Sequence, residues 1–554
     1  MNNQDPQILW DHQTAARQPA ETLPESQSPT SLDIPLLEAL IEAYRKQEVQ
    51  QSSKGETVKV SQALSSLAVV YEKIRNAVDF RAEHLFRRNA IERILRRRWL
   101  GRETTRITTS ALLKELIWGA YFPNDSIPKT RVEQLNQVLE KYEVLKDSVG
   151  KNGSWTEWFL DLAATEIDEV LVGNFANQAW AKATATWVKG HYDWKDPLST
   201  KEKNLLFFAA ADRAFLRADD QVLRYHLWLQ FFPTWEELKP NELGLITQSL
   251  HTVKKEIEEI VAHPLSHQLF RLFRRQTPSL WVLKEVLDRS PSPQALLQDQ
   301  KTLFVKIRET CQKKYGQTGQ KVRQGIVRSI IYILATKAIL AVIIELPYER
   351  FVGQTSLLPL LINLVFPPFL MFLVGLLIQV PGEKNTNRII RHVQDFLTSH
   401  ESEEIKIPLH LLSAKKGRGL TARVFAFFYL LLFVSLFGGI SYLLLGLGFT
   451  WVSLVIFFFF VSLVLLFGFR VRWTAQELLV VEEKEGIFTS LINILSLPFI
   501  DVGARLSRGL MKFNFLTVVL DFIIEAPLKL IIDVIGDFTG FIRKKREEVI
   551  EVPM

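Results

Sequence analysis

The sequence predicts an all-α protein: a cytosolic helical domain, a polytopic membrane domain of four helices, and amphipathic C-terminal helices. Three observations carry this. Strand-like alternation is scarce, and helical spacing of apolar residues recurs through the first 300 residues. Most of the apolar excess lies after Arg328. Finally, Val424–Phe449 and Trp451–Phe469 are two uncharged runs around a short turn, the second containing Phe457, Phe458, Phe459 and Phe460. A bilayer core takes about 20 apolar residues of helix, so this stretch reads as a hairpin of two spans.

The chain has 554 residues, enough for two or three domains. Its net charge of +7 fits a neighbour of anionic lipid and argues against a dedicated nucleic-acid binder. Cys311 is the one cysteine, which excludes an intrachain disulfide and any CxxC metal site. Residues 1–33, interrupted by Pro6, Pro19, Pro24 and Pro29, read as disordered. They lack the basic start and apolar core of a secretory signal, so targeting is expected from the internal spans.

Residues 34–310 read as a cytosolic all-α domain, with room for a boundary near 191–200. The first helix is expected from Ile34 to about Gln50. Between Val60 and Leu100 an apolar face of Leu67, Tyr71, Ile74, Val78, Leu85 and Ile91 opposes a charged one. That helix ends in Arg96, Arg97, Arg98 and Arg102. The bland reading is a solvated helix end whose cations suit the C-terminal dipole; the functional one is contact with anionic lipid or a protein partner. Further helices are expected at Thr130–Ser148, Trp155–Val172, Asn177–Lys189, Lys203–Phe232, Trp235–Ala262 and Ser279–Leu287. Residues 311–328 read as a basic juxtamembrane linker.

The spans are placed at about 329–346, 357–380, 424–447 and 451–469. The first has ten Ile, Leu or Val residues, each worth about −0.3 to −0.6 kcal/mol of insertion, against about +3 for Lys337 in its middle. Pro367 and Pro368 should kink the second span or divide it into half-helices, which leaves a re-entrant hairpin as the alternative. Lys and Arg number eight in 301–328, one in 347–356, eight in 381–423 and none in the turn after Gly446, with Arg470 and Arg472 following the fourth span. This alternation predicts a cell-membrane protein with N-terminus, 381–423 loop and C-terminus in the cytosol. Residues 470–554 read as a tail on the membrane surface. In it Asp521, Glu525, Lys529, Asp533 and Asp537 form one charged row, at a cost of several kcal/mol if it crossed.

Lys337 and Glu345 are the candidate intramembrane charges. Eight residues of α-helix separate them by about 12 Å, which argues against a direct pair. Lys415, Lys416 and Arg418 form a second candidate contact for anionic lipid or a partner. His263 and His267 have the i, i+4 spacing of a zinc pair, but Pro264 between them and the lack of HExxH argue against metal. No Gly-rich phosphate loop or nucleophile motif is present, and no catalytic residue, cofactor or metal is expected. The expected function is a non-catalytic scaffold, tether or assembly component, partnered by the bilayer, by a protein docking on the cytosolic domain, or by a second copy of the chain. The alternative is an oligomeric transporter or channel with Lys337 and the Pro-rich second span lining its path.

Overall fold

The computed structural model describes residues 35–52, 56–60, 85–100, 108–150, 153–173, 176–352, 357–398, 407–409, 411, 418–480 and 487–512. The disorder expected for 1–33 lies outside them. The described chain is nearly all helical and divides into two compact units.

The helical unit comprises 38–185 and 199–270. Its helices are α1 (Pro35–Ser52), α2 (Phe86–Leu100), α3 (Thr109–Trp118), α4 (Lys129–Ser148), α5 (Gly153–Val172), most of α6 (Ala176–Gly190), α7 (Thr200–Ala211), α8 (Asp220–Phe231), α9 (Gly244–Val261) and the start of α10 (Ser266–Asp288). Helix α5 is the axis. Thirteen of its twenty residues are buried, and α2, α4 and α8 pack on it. On α4 the buried positions Leu135, Val138, Leu139, Tyr142 and Leu145 follow the three-four spacing of one helix face. Trp228 joins the layers, with ring centroids 5.8 Å from Trp158 and 5.3 Å from Trp235.

Three expected boundaries differ. The helix expected over Trp235–Ala262 begins only at Gly244, after turns and a 3-10 turn at Pro240–Glu242. Lys203–Phe232 is two helices instead of one. A π turn over Asp212–Leu216 ends α7, Arg217 takes a left-handed φ of 58°, and the Asp219 carboxylate caps α8 by accepting the Val222 N–H at 2.9 Å. Conversely, α10 does not begin after Pro278 but runs through it. Proline has no N–H to give the Arg274 carbonyl, and the Thr277 hydroxyl donates to that oxygen at 3.1 Å.

The second unit comprises 186–198 and 271–512. After α10 come α11 (Pro293–Gln298), α12 (Gln300–Leu340), a π turn at Ala341–Glu345, α13 (Leu346–Val352), α14 (Leu357–Leu376), α15 (Glu383–Thr398), α16 (Arg418–Gly446), α17 (Trp451–Ala475) and α18 (Ile487–Lys512). Among the described residues, five helices are long and apolar enough to cross a membrane: Gln300–Phe351, Leu358–Leu376, Arg423–Gly446, Trp451–Ala475 and Ser490–Arg508. The stretch read as a linker is helical, the middle of α12, whose 41 residues extend about 60 Å at 1.5 Å per residue. Helix α14 is continuous through Pro367 and Pro368, so it is not divided into half-helices.

The hairpin falls where expected. Gly448, at φ 87°, makes a turn that a side chain would strain, and Thr450 caps α17 by accepting the Ser453 N–H at 3.3 Å. Phe437 then stacks on both Phe458 and Phe499, each at 4.7 Å. Helix α18 comes from the stretch expected on the membrane surface, and it packs on α17. Asn493 meets Arg472 at 2.9 Å and Gly503 lies on the backbone of Ser462, so α18 runs antiparallel along α17 itself. Strands β1 (Tyr192–Trp194) and β2 (Ile407–Leu409) pair in parallel. Asp196 fastens this corner, accepting from Trp194 Nε1 and from the Leu411 N–H, both at 2.7 Å. Nearby, α15 buries Ile389, Ile390, Val393, Phe396 and Leu397, with the Phe396 ring edge-on to Trp187.

Two outcomes follow from this packing. A methyl group at Gly503 collides with the Ser462 carbonyl, whereas Gly438 faces open space. Gly503→Ala should therefore lower the thermal midpoint of the detergent-solubilised protein by an amount equivalent to about 1–3 kcal/mol, while Gly438→Ala leaves it unchanged or raises it. Burial pushes the His392 ring on α15 down to about 4, against the pull of Asp395. The folded unit thus prefers the neutral ring. Its contribution is complete above the ordinary histidine value of about 6.5 and fades as pH falls towards 4. Amide protection factors of α15, corrected for the intrinsic exchange rate at each pH, should fall over that window, and His392→Gln should flatten the dependence.

Candidate functional site: a buried charge cluster among the apolar helices

Helices α12 and α14 and the start of α17 bring five polar side chains into an apolar interior. Lys337, on the last turns of α12, and Asn363, in the middle of α14, are both 0% exposed; Glu345 is 1% exposed. Glu349 on α13 and Ser453 on the first turn of α17 are buried beside them. Lys337 Nζ donates to Glu345 Oε1 at 3.1 Å and lies 4.7 Å from the centroid of the Phe460 ring. Asn363 Nδ2 donates to the same carboxylate oxygen at 2.5 Å and to the Ser453 carbonyl at 3.1 Å. Ser453 Oγ donates to Glu349 Oε1 at 3.2 Å, and the Thr450 hydroxyl donates to Ser453 Oγ at 3.0 Å.

The Lys337–Glu345 pair corrects the expectation from α-helical spacing. The cause is the π turn at Ala341–Glu345, which takes one extra residue into the helix. Eight residues then rotate as seven do, and seven are close to two full turns. The two side chains share a face and reach towards each other. Two acceptors in the cluster have no donor: Glu345 Oε2 and Asn363 Oδ1. The sequence reading passed over Asn363, although it is the one amide within α14; Glu349 and Ser453 carry no signal until the helices are assembled.

The helical unit handles charge in the same way. Helix α5 carries five acids, each answered from another helix. Arg224 Nη1 donates to Asp161 at 2.9 Å, and Arg87 makes a two-bond pair with Asp168. Glu166 accepts from Lys141 Nζ at 3.2 Å and, through its other oxygen, from Tyr142 Oη and Trp235 Nε1, both at 2.7 Å. His226 lies between Asp212 Oδ1, 2.8 Å from Nδ1, and Glu169 Oε1, 2.5 Å from Nε2. Burial opposes the charged ring, but the two carboxylates prevail and hold it well above the ordinary histidine value. Asp161 is pushed up to about 6 by burial, with Arg224 pulling the other way.

The remaining sequence candidates fall as follows. Arg96 pairs with Glu92 and Glu157 at 2.8 and 2.6 Å, and Arg97 with Glu115 at 2.5 Å. The side chains of Arg98 and Arg418, and Arg102, Lys415 and Lys416 entirely, lie outside the described residues. So does the row Asp521, Glu525, Lys529, Asp533 and Asp537. His263 accepts the Leu265 N–H at 3.3 Å and lies 3.7 Å from Glu202, whereas His267 approaches the Phe270 ring. Among the described residues, no group of three or more His, Cys, Asp or Glu side chains is placed to hold a metal ion.

Removing one member of a buried ion pair leaves the other uncompensated, which costs about 3–5 kcal/mol. Lys337→Met should accordingly destabilise the protein, and Lys337→Met combined with Glu345→Met should recover most of the loss, as read by thermal unfolding in lipid nanodiscs. Comparison with known protein families, with curated proteins and with solved structures finds no match for this chain.

Proposed function

We infer that the chain is a multi-pass protein of the cell membrane that acts as a non-catalytic scaffold, tether or assembly component. The observation that supports this best is how charge is used in the helical unit: the acids of α5 are engaged in holding α2, α4 and α8 to it. Such a module offers a fixed surface to a partner, not a reacting group. The apolar helices support the membrane half of the reading. Phe351, Phe425, Tyr442, Leu443 and Trp451 are turned outward, while Lys337, Glu345 and Asn363 are turned inward. The lysine and arginine distribution supports a cytosolic helical unit.

One observation favours a second reading, a transporter or channel: Lys337 and Asn363 of the proline-containing helix converge on the same buried Glu345 oxygen. In that case Lys337→Ala abolishes flux in proteoliposomes while insertion and assembly persist.

The scaffold reading is tested by capture of the intact protein from its native membrane after crosslinking. A reproducible protein partner, lost when surface residues of the helical unit are altered, is the expected result. Turnover of a small molecule, or ion flux through the reconstituted protein, would remove the scaffold. Labelling by an impermeant reagent from outside intact cells at a position just before Ser329 would overturn the orientation.

A further inference from the structure

The buried cluster is one positive charge short. It contains the ammonium of Lys337 and two carboxylates, Glu345 and Glu349, four residues apart on one helical face. The lysine bonds only to Glu345. Glu349 is met by a neutral hydroxyl, that of Ser453. Arg350, the adjacent cation, is exposed. Two oxygen atoms point the same way as this imbalance. Glu345 Oε2 and Asn363 Oδ1 belong to side chains at most 1% exposed, and neither has a donor. An amide oxygen and a carboxylate oxygen left bare in an apolar interior are expensive, and each is a hard ligand of the kind that hard cations take.

We propose that the cluster formed by Glu345, Asn363 and Glu349 binds one alkali-metal cation beside the resident ammonium of Lys337. The ion takes Glu345 Oε2 and Asn363 Oδ1 as ligands, and the Glu349 carboxylate balances its charge. Asn363 is the selecting residue. Its Nδ2 is fixed by Glu345 Oε1 and the Ser453 carbonyl, so its Oδ1 is held in place in advance of the ion. Lys337 opposes the second cation and tunes the affinity downward. The site stands whether or not the ion crosses a membrane, so it does not rest on either reading of function.

The test uses full-length protein in nanodiscs of uncharged lipid. Thermal midpoints are measured in rising NaCl, LiCl or KCl, with choline chloride holding ionic strength and a single buffer holding pH. A saturable rise with at least one alkali ion, absent in choline, is expected, because a ligand of the native state stabilises it. Asn363→Leu should weaken the apparent affinity at least ten-fold. Glu345→Gln should do the same, and Glu345→Asp should retain binding. Lys337→Met should bind more tightly, its loss of stability being recovered by the ion. Helicity and a monodisperse elution profile confirm that each variant is assembled; should Glu345→Gln fail there, Asn363→Leu carries the test, since it changes no charge. No difference between alkali ions and choline in the wild type overturns the proposal. So does a shift undiminished in Asn363→Leu, and so does a midpoint that follows pH but no alkali ion, which would assign the missing charge to a proton.

Discussion

An ionisable group taken out of water must find its compensation within a few ångströms, and this requirement organises both units. Desolvating a charge costs several kcal/mol, so the group is paired, multiply hydrogen-bonded or neutral. In the helical unit the requirement falls on α5, which is largely enclosed yet carries five acids. Three of them fix the rotation of a neighbouring helix: Asp168 through Arg87 of α2, Glu166 through Lys141 of α4, Asp161 through Arg224 of α8. Hydrophobic burial assembles the bundle, and the charges specify which faces meet. Among the apolar helices the requirement falls on Lys337. There the backbone itself yields, since the extra residue of the π turn brings Glu345 round to meet it.

The apolar helices were legible because each is a contiguous run. Val424–Phe449 and Trp451–Phe469 mark α16 and α17 by composition alone, and Gly448 marks the turn between them. Periodicity found α4, α5 and α6 to within a few residues for the same reason: their apolar positions repeat locally. The boundaries that differ are those decided by a single bond. Pro278 was read as a stop, but the Thr277 hydroxyl satisfies the carbonyl it frees. Lys203–Phe232 was read as one helix, but Asp219 starts a new one by capping. Tertiary packing decided α18, where small Gly503 permits contact with the backbone of α17 and draws an amphipathic segment alongside it.

The site was legible in its ionisable members and not in its geometry. Lys337 and Glu345 stand out as charges in an apolar run, but regular helical spacing keeps them apart. A π turn has no sequence signature in this stretch of Ala, Val and Ile, so the pairing emerges only in three dimensions. The His226 arrangement was hidden for a different reason. Asp212 and Glu169 are 14 and 57 residues away along the chain, whereas the nearby Asp219 and Asp220 serve as a helix cap and as a partner of Arg213.

Cys311, the sole thiol of the chain, is buried in α12, one turn before Tyr315, whose hydroxyl accepts from Asn385 of α15 at 2.9 Å. A bulky maleimide cannot reach such a sulfur while that contact holds. The native protein is therefore already a silent background for site-directed thiol chemistry. A cysteine introduced at any surface position reports alone, and exposure of the native one becomes a built-in alarm that α15 has come away.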